Sequence, residues 1–171
     1  MDKLFTAALQ LQKPWYVERV EFEKGPGRGT KELHIYLKHL PRVKFSVEEE
    51  EYSVYDHQER VWRHLNFFEH ECYIHARVPR VKTKSGNTLL VDVPWAQAGS
   101  SFTLLFESYG CLLIKGGMSL SGAGRYLGIS GKRVFTMIKN KTITALVNQP
   151  LEEVKEASLD ETSYKKGHNY F

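Results

Sequence analysis

The chain has 171 residues, 42% of them hydrophobic, enough for one ordinary core or two small ones. It is mildly basic, with a formal charge of +4, and no apolar run approaches the ~20 residues of a membrane span, which excludes a membrane-spanning class. Cys72 and Cys111 lie far apart with no signal peptide before them, which excludes a disulfide scaffold and points to a reducing, cytoplasmic setting.

Residues 1–13, with LFTAALQLQ, predict a short helix that ends before Pro14. Residues 15–23 (WYVERVEFE) and 31–40 (KELHIYLKHL) each alternate, the second with Leu33, Ile35 and Leu37 on one face. The Gly- and Pro-rich stretch 24–30 between them makes the pair a β-hairpin. Glu48 to Glu51 form the one acidic run. In residues 55–65 (YDHQERVWRHL), Arg60, Arg63 and His64 stand beside Trp62. That pattern suits a nucleic-acid contact surface. It equally suits a strand with Val61 or Trp62 in the core, and both readings stay open. Residues 67–81 alternate again, with Cys72, Ile74, Ala76 and Val78 on one face and Tyr73, His75 and Arg77 on the other. Pro79, between Arg77 and Arg80, keeps this strand at an edge. A turn at 85–87 and a strand over 88–93 complete a second hairpin.

Helices follow. Ser100 or Ser101 is placed to cap a helix over 102–115, with Phe102, Leu105, Phe106 and Leu113 as its apolar stripe and Gly116-Gly117 as its stop. Residues 119–139 (SLSGAGRYLGISGKRVFTMIK) have the spacing of a DNA-reading helix-turn-helix. Gly124 stands where two helices cross closely, and Gly128 supplies a left-handed turn. Leu127, Ile129, Val134 and Met137 fall where the pair must bury apolar groups, and Ser130 can cap the second helix. Between Glu107 and Glu152 there is no acid but six Lys or Arg residues, among them Arg125, Lys132, Arg133, Lys139 and Lys141. A basic, acid-free helix pair fits a phosphate backbone. The recognition helix is expected over 130–139, with Ser130, Lys132, Arg133 and Thr136 toward base edges or phosphates. An ordinary αα-hairpin with a solvated charged face is the alternative.

The motifs VYDHQERVWRHLNF, YIHARVPRVK, VDVPWA, SFTLLFE, the helix-turn-helix and SLDETSYKKGHNYF occur in that order. In this order they resemble the N-terminal part of a bacterial insertion-sequence transposase of the ISL-three-type group, which has a zinc finger, a helix-turn-helix and then a DDE catalytic domain. The resemblance implies an α+β chain. A 1–14 segment would precede a β-rich, degenerate zinc-ribbon-like domain over 15–98. A three-helix helix-turn-helix domain over 99–148 and a ribonuclease-H-like stub over 149–171 would follow. It implies double-stranded DNA, the terminal inverted repeats, as partner, and it tilts Arg60 and Arg63, with Arg77 and Arg80, toward DNA contact.

Asp160 matches the first catalytic carboxylate, and only a complete domain with all three acids would hold magnesium ions for strand transfer. The site is therefore expected to be incomplete here, and the segment 158–171 to be mobile or folded back on the β domain. The positions matching the family's two CxxC pairs are Phe45 with Glu48, and Thr83 with Gly86. None offers a thiolate or imidazole, so neither zinc nor another cofactor is expected. Cys72 and His75 have ligand-like spacing, but on a strand they face opposite ways. His57, His64 and His70 read as structural or phosphate-facing. Alternatives to a DNA-binding module are one subunit of a split transposase, completed by another polypeptide, and a small protein-binding module; the partners left open beside DNA are a homo-oligomer or the missing catalytic half.

Overall fold

Period-two alternation puts apolar side chains on one side of an extended chain, and such chains pair to bury that side. In the computed structural model, which describes residues 2–25 and 31–147, this yields a six-stranded sheet accompanied by four helices, an α+β arrangement among the described residues. The first helix, α1 (Asp2–Ala8), is shorter than the stretch before Pro14 suggests. β1 (Trp15–Lys24) and β2 (Lys31–His39) pair antiparallel, as the alternation implies. β3 (Lys44–Val47) and β4 (Glu50–Phe67) form a hairpin through Glu48 and Glu49, both at positive φ. β5 (His70–Lys82) pairs with β4, and β6 (Thr88–Leu90) folds back onto β5.

The strand order is β1-β2-β5-β4-β3, with β6 beside β5. This corrects the expectation of two separate hairpins. The main antiparallel partner of β5 is β4, and a parallel ladder of β5 with β2 joins both halves, setting Leu33 beside Cys72 and Ile35 beside Ile74. It also corrects the placing of β5 at an edge, since Pro79 lies inside the pairing with β4. The strand β4 is disguised in sequence because its outer positions are charged and its single large core residue is Trp62, 2% exposed, while Val61 faces solvent.

One face of the sheet carries Leu33, Ile35, Leu37, Trp62, Cys72, Ile74, Ala76 and Val78, all buried. Phe5 of α1, Trp15, Val91 and Trp95 join the same cluster, with the Trp95 ring edge-on to both Trp15 and Trp62. Each large aliphatic or phenyl side chain here contributes roughly 1.5–3 kcal/mol when fully buried. The other face carries a stack of His34, Tyr36, Tyr73 and His75, in which His34 Nδ1 lies 2.7 Å from His75 Nε2.

A second apolar cluster lies among α2 (Leu104–Lys115), α3 (Leu120–Leu127) and α4 (Gly131–Val147), built on Phe102, Phe106, Ala123, Leu127, Val134 and Met137. Thr103, not Ser100 or Ser101, caps α2, its Oγ1 accepting the Phe106 N–H. Leu105 is exposed, against expectation. The reason is that neighbouring helix positions lie about 100° apart, so Leu105 falls outside the face that Phe106 and Leu113 turn to the cluster. Residues 101–103 run beside β4, with the Arg63 N–H donating to Ser101 O and the Thr103 N–H to Arg63 O.

Candidate nucleic-acid interface

The α3–α4 corner is built by local chemistry. Ser119 Oγ accepts the Gly122 N–H at 3.1 Å and caps α3. Gly128 ends it at φ 71°, in the left-handed region where a β-carbon is strained. At Gly124 a β-carbon would stand 2.7 Å from Ile129 O and 2.9 Å from Gly131 N, so only hydrogen fits between the helices. Ser130 Oγ accepts the Arg133 N–H at 3.3 Å, and α4 runs on beyond Lys139 to Val147. Leu127, Val134 and Met137 are buried, with Ile129 packed on them.

The outer side chains of this corner are held to different degrees, and among the exposed ones Ser130 caps α4 and Thr136 Oγ1 donates to Lys132 O at 3.1 Å. Arg125, Ser130, Lys132, Thr136 and Lys139 are exposed. Lys132 and Thr136 share a cleft of about 520 Å³ with Asn140, walled on the other side by the segment from Gln97 to Phe102. Lys141 is half-buried and its Nζ donates to Ser108 Oγ at 3.1 Å, tying α4 to α2. The guanidinium of Arg133 is exposed but held: it lies 4.4 Å from the centre of the Phe102 ring, and Nη2 donates to Ser101 Oγ at 3.0 Å. Sequence reasoning missed Asn140, although its i, i+4, i+8 spacing with Lys132 and Thr136 places all three on one helix face.

The four arginines of the sheet fare differently. Arg77 is exposed and makes no ion pair among the described residues. Arg60 is half-buried and donates to Ser100 O at 3.0 Å. Arg80 is paired in two places with Asp56, which holds that carboxyl below the ordinary carboxylate range. Arg63 is 7% exposed and does not face solvent as expected of a DNA contact. It donates to His64 O, to Cys72 O at 3.3 Å and to Asn66 Oδ1 at 2.7 Å, and lies over the Tyr73 and Phe106 rings. A guanidinium has five donors in a fixed fork; here they bond oxygens of β4 and β5, while the planar cation packs on the Phe106 ring of α2. Next to it, His64 Nδ1 lies 2.9 Å from Thr103 Oγ1, and burial, with Arg63 second, pushes the imidazole down to about 4.

The positions matching the zinc pairs lie in or beside two turns, β3–β4 and β5–β6. Phe45 is buried against Trp15 and His39, and Glu48 occupies the first turn. Thr83 Oγ1 lies 2.8 Å from Ser85 Oγ, and Gly86 turns at φ 87°. A phenyl ring, a carboxylate, a hydroxyl and a glycine do not fit tetrahedral zinc. Cys72 lies in the core, where burial pushes its thiol up to about 12, and His75 faces the opposite side of the sheet. The two turns are joined instead by Lys84 Nζ, which donates to Glu50 Oε1 at 2.6 Å.

Residues 50–84 match the family model for the zinc-finger of transposase IS204/IS1001/IS1096/IS1165. The matched stretch is β4, β5 and their turn, with the first residues of the β5–β6 turn. The match relates the chain, at the level of that domain, to ISL-three-type transposases and suggests a transposase-related, DNA-binding role. No curated protein and no solved structure matches the chain. Among the described residues no helix is long and apolar enough to cross a membrane. Asp160 and the whole 149–171 stub lie outside the described residues.

Proposed function

We propose that this chain is the DNA-recognition part of an insertion-sequence transposase, with α3 and α4 as a helix-turn-helix and α4 as its recognition helix. The observation that carries this is the α3–α4 corner itself. A glycine crossing too tight for a β-carbon and a left-handed glycine turn open onto an exposed, acid-free helix face bearing Lys132, Thr136, Lys139 and Asn140. The transposase zinc-finger match in the adjacent sheet supports the same reading. In it, the first turns of α4 enter the major groove, and Thr136 and Asn140 meet base edges. Lys132 and Lys139 take phosphates, and the partner is the terminal inverted repeat. The chain acts by binding, and strand transfer belongs to a DDE domain in which Asp160 would be the first of three acids.

The test is fluorescence anisotropy of a labelled inverted-repeat duplex against a scrambled duplex, at several salt concentrations. The parent should prefer the repeat. Replacing Lys132 and Lys139 by Ala should reduce the steepness of log K against log salt by about 1.8, at about 0.9 per lost phosphate contact. Equal affinity and equal slope in parent and variant would sink the assignment.

A further inference from the structure

At the end of the sheet away from the helices, a surface groove of about 1060 Å³ lies between the end of β2, β3 and the outer parts of β4 and β5. Its charge is lopsided. Lys38, Arg42, Lys44 and Arg77 line it, against the single carboxylate of Glu18, which Lys38 already holds at 2.9 Å. Arg42, Lys44 and Arg77 are exposed and make no ion pair among the described residues. On other parts of this sheet Arg19 is paired with Glu21 and Arg80 with Asp56. Three uncompensated cations at one groove raise the local potential and attract anions.

At the floor of the groove His39 and His57 stack at 13°, their Nε2 atoms 2.9 Å apart. His39 Nδ1 lies 2.8 Å from Leu40 O, a carbonyl that only accepts. The His39 proton is therefore on Nδ1, its Nε2 accepts, and the His57 Nε2–H donates. The groups facing this pair are Tyr16 and Glu18 from β1, Lys38 from β2, Arg42 from the turn, Lys44 from β3, Tyr55 and Asp56 from β4 and Arg77 from β5. Burial, then His39 and Arg77, keep the His57 imidazole below its ordinary value, which favours its neutral form. An anion in the groove reverses that balance and admits a proton.

We propose that this groove is a second phosphate-binding site, which takes the sugar-phosphate backbone of the duplex read by α4; the proposal rests on the DNA-binding reading above. His57 and Arg63 are six residues apart on one continuous strand, roughly 20 Å at 3.3 Å per residue. Arg63 in turn packs against Phe106 of α2. The groove and the helix pair thus lie within reach of one duplex, on separate parts of its backbone. The cations are long, exposed side chains from three separate stretches of chain. That suits a passing backbone, which is held by point contacts, better than an enclosed nucleotide. The duplex would bridge the zinc-finger-like sheet and the helices, and each would contribute its own share of the salt dependence.

The experiment compares the full chain with an Arg42→Asn/Lys44→Gln variant, using the same duplex titrations. Arg42 sits at φ 58°, where asparagine is tolerated, and both side chains are exposed, so the melting temperature should not move. Arg77→Gln, on a regular strand, is the second variant. The double variant should lose about 1.8 from the salt slope and Arg77→Gln about 0.9. In the parent, binding should tighten as pH falls from about 7.5 to about 5.5, and His57→Gln should flatten that trend. An unchanged slope in both groove variants, with the Lys132/Lys139 variant impaired, overturns the groove and leaves the helix reading standing. If neither set changes duplex binding, or the parent binds no duplex, both readings fall. Inorganic pyrophosphate, titrated by calorimetry, is the control for a free-phosphate site. Pyrophosphate binding that the double variant abolishes, with duplex binding intact, would overturn the backbone assignment.

Discussion

His64 shows how one side chain can carry a pH dependence that its sequence context does not announce. Beside Arg60, Trp62 and Arg63 it reads as part of a basic surface. In the fold it sits at the joint between β4 and the Thr103 cap, neutral and largely buried. Its folded value of about 4 is depressed from an ordinary 6.5. For a base, this means the unfolded chain binds the proton more readily. The stability it contributes is fully present above pH ~6.5 and is lost as pH falls from there toward ~4, a loss of roughly 3 kcal/mol at the acid end. His57 and His75 are depressed in the same direction, chiefly by burial, so the whole chain should be acid-labile. Urea unfolding at pH 7 and pH 4.5 measures this. The His64→Gln variant should lose less stability between the two pH values than the parent, and an equal loss in both would contradict the assignment. Arg63 teaches the same lesson: an arginine beside a tryptophan gives no sign whether it points to solvent or into a joint.

Elements formed by short-range rules were legible. Gly124, Gly128, Ser130 and the apolar positions around them fix the α3–α4 corner within a few residues, because caps, turns and close crossings are local chemistry. The β1–β2 hairpin and the two faces of β5 were legible for the same reason. The β3–β4 hairpin was not, since its turn is made by glutamates at positive φ, which carry no turn signature. This hairpin also bears on the metal question. In a zinc ribbon the metal holds two turns together and supplies much of the folding free energy. Here Phe45 packing and the Lys84–Glu50 contact occupy the corresponding place. The purified chain should therefore melt at the same temperature with and without a strong chelator, and elemental analysis should find no stoichiometric zinc. One zinc per chain, with a chelator-induced drop in melting temperature, would defeat this and direct attention to Cys72 and the histidines.

At the scale of the whole molecule, the parallel ladder between β2 and β5 was beyond sequence reasoning. It joins residues about forty positions apart, and nothing local specifies which strands become neighbours. The way the helices meet the sheet was hidden too. Two apolar clusters, one on the sheet and one among the helices, are joined through residues 100–103, which are bonded to β4 and contacted by Arg60, His64 and Arg133. Read as sequence, Arg133 is one more cation on the recognition helix. In the fold it is a strut, its guanidinium on the Phe102 face and its Nη2 on Ser101. The two roles make different predictions. A phosphate contact needs charge alone, so Arg133→Lys would bind like the parent and Arg133→Ala would lower the salt slope by about 0.9. A strut needs the planar fork and its stacking, which lysine does not supply. We therefore expect Arg133→Lys and Arg133→Ala to lose duplex affinity alike, by roughly ten-fold or 1.4 kcal/mol, with the salt slope unchanged. Anisotropy titrations of both variants decide it: full rescue by lysine would return Arg133 to the DNA surface.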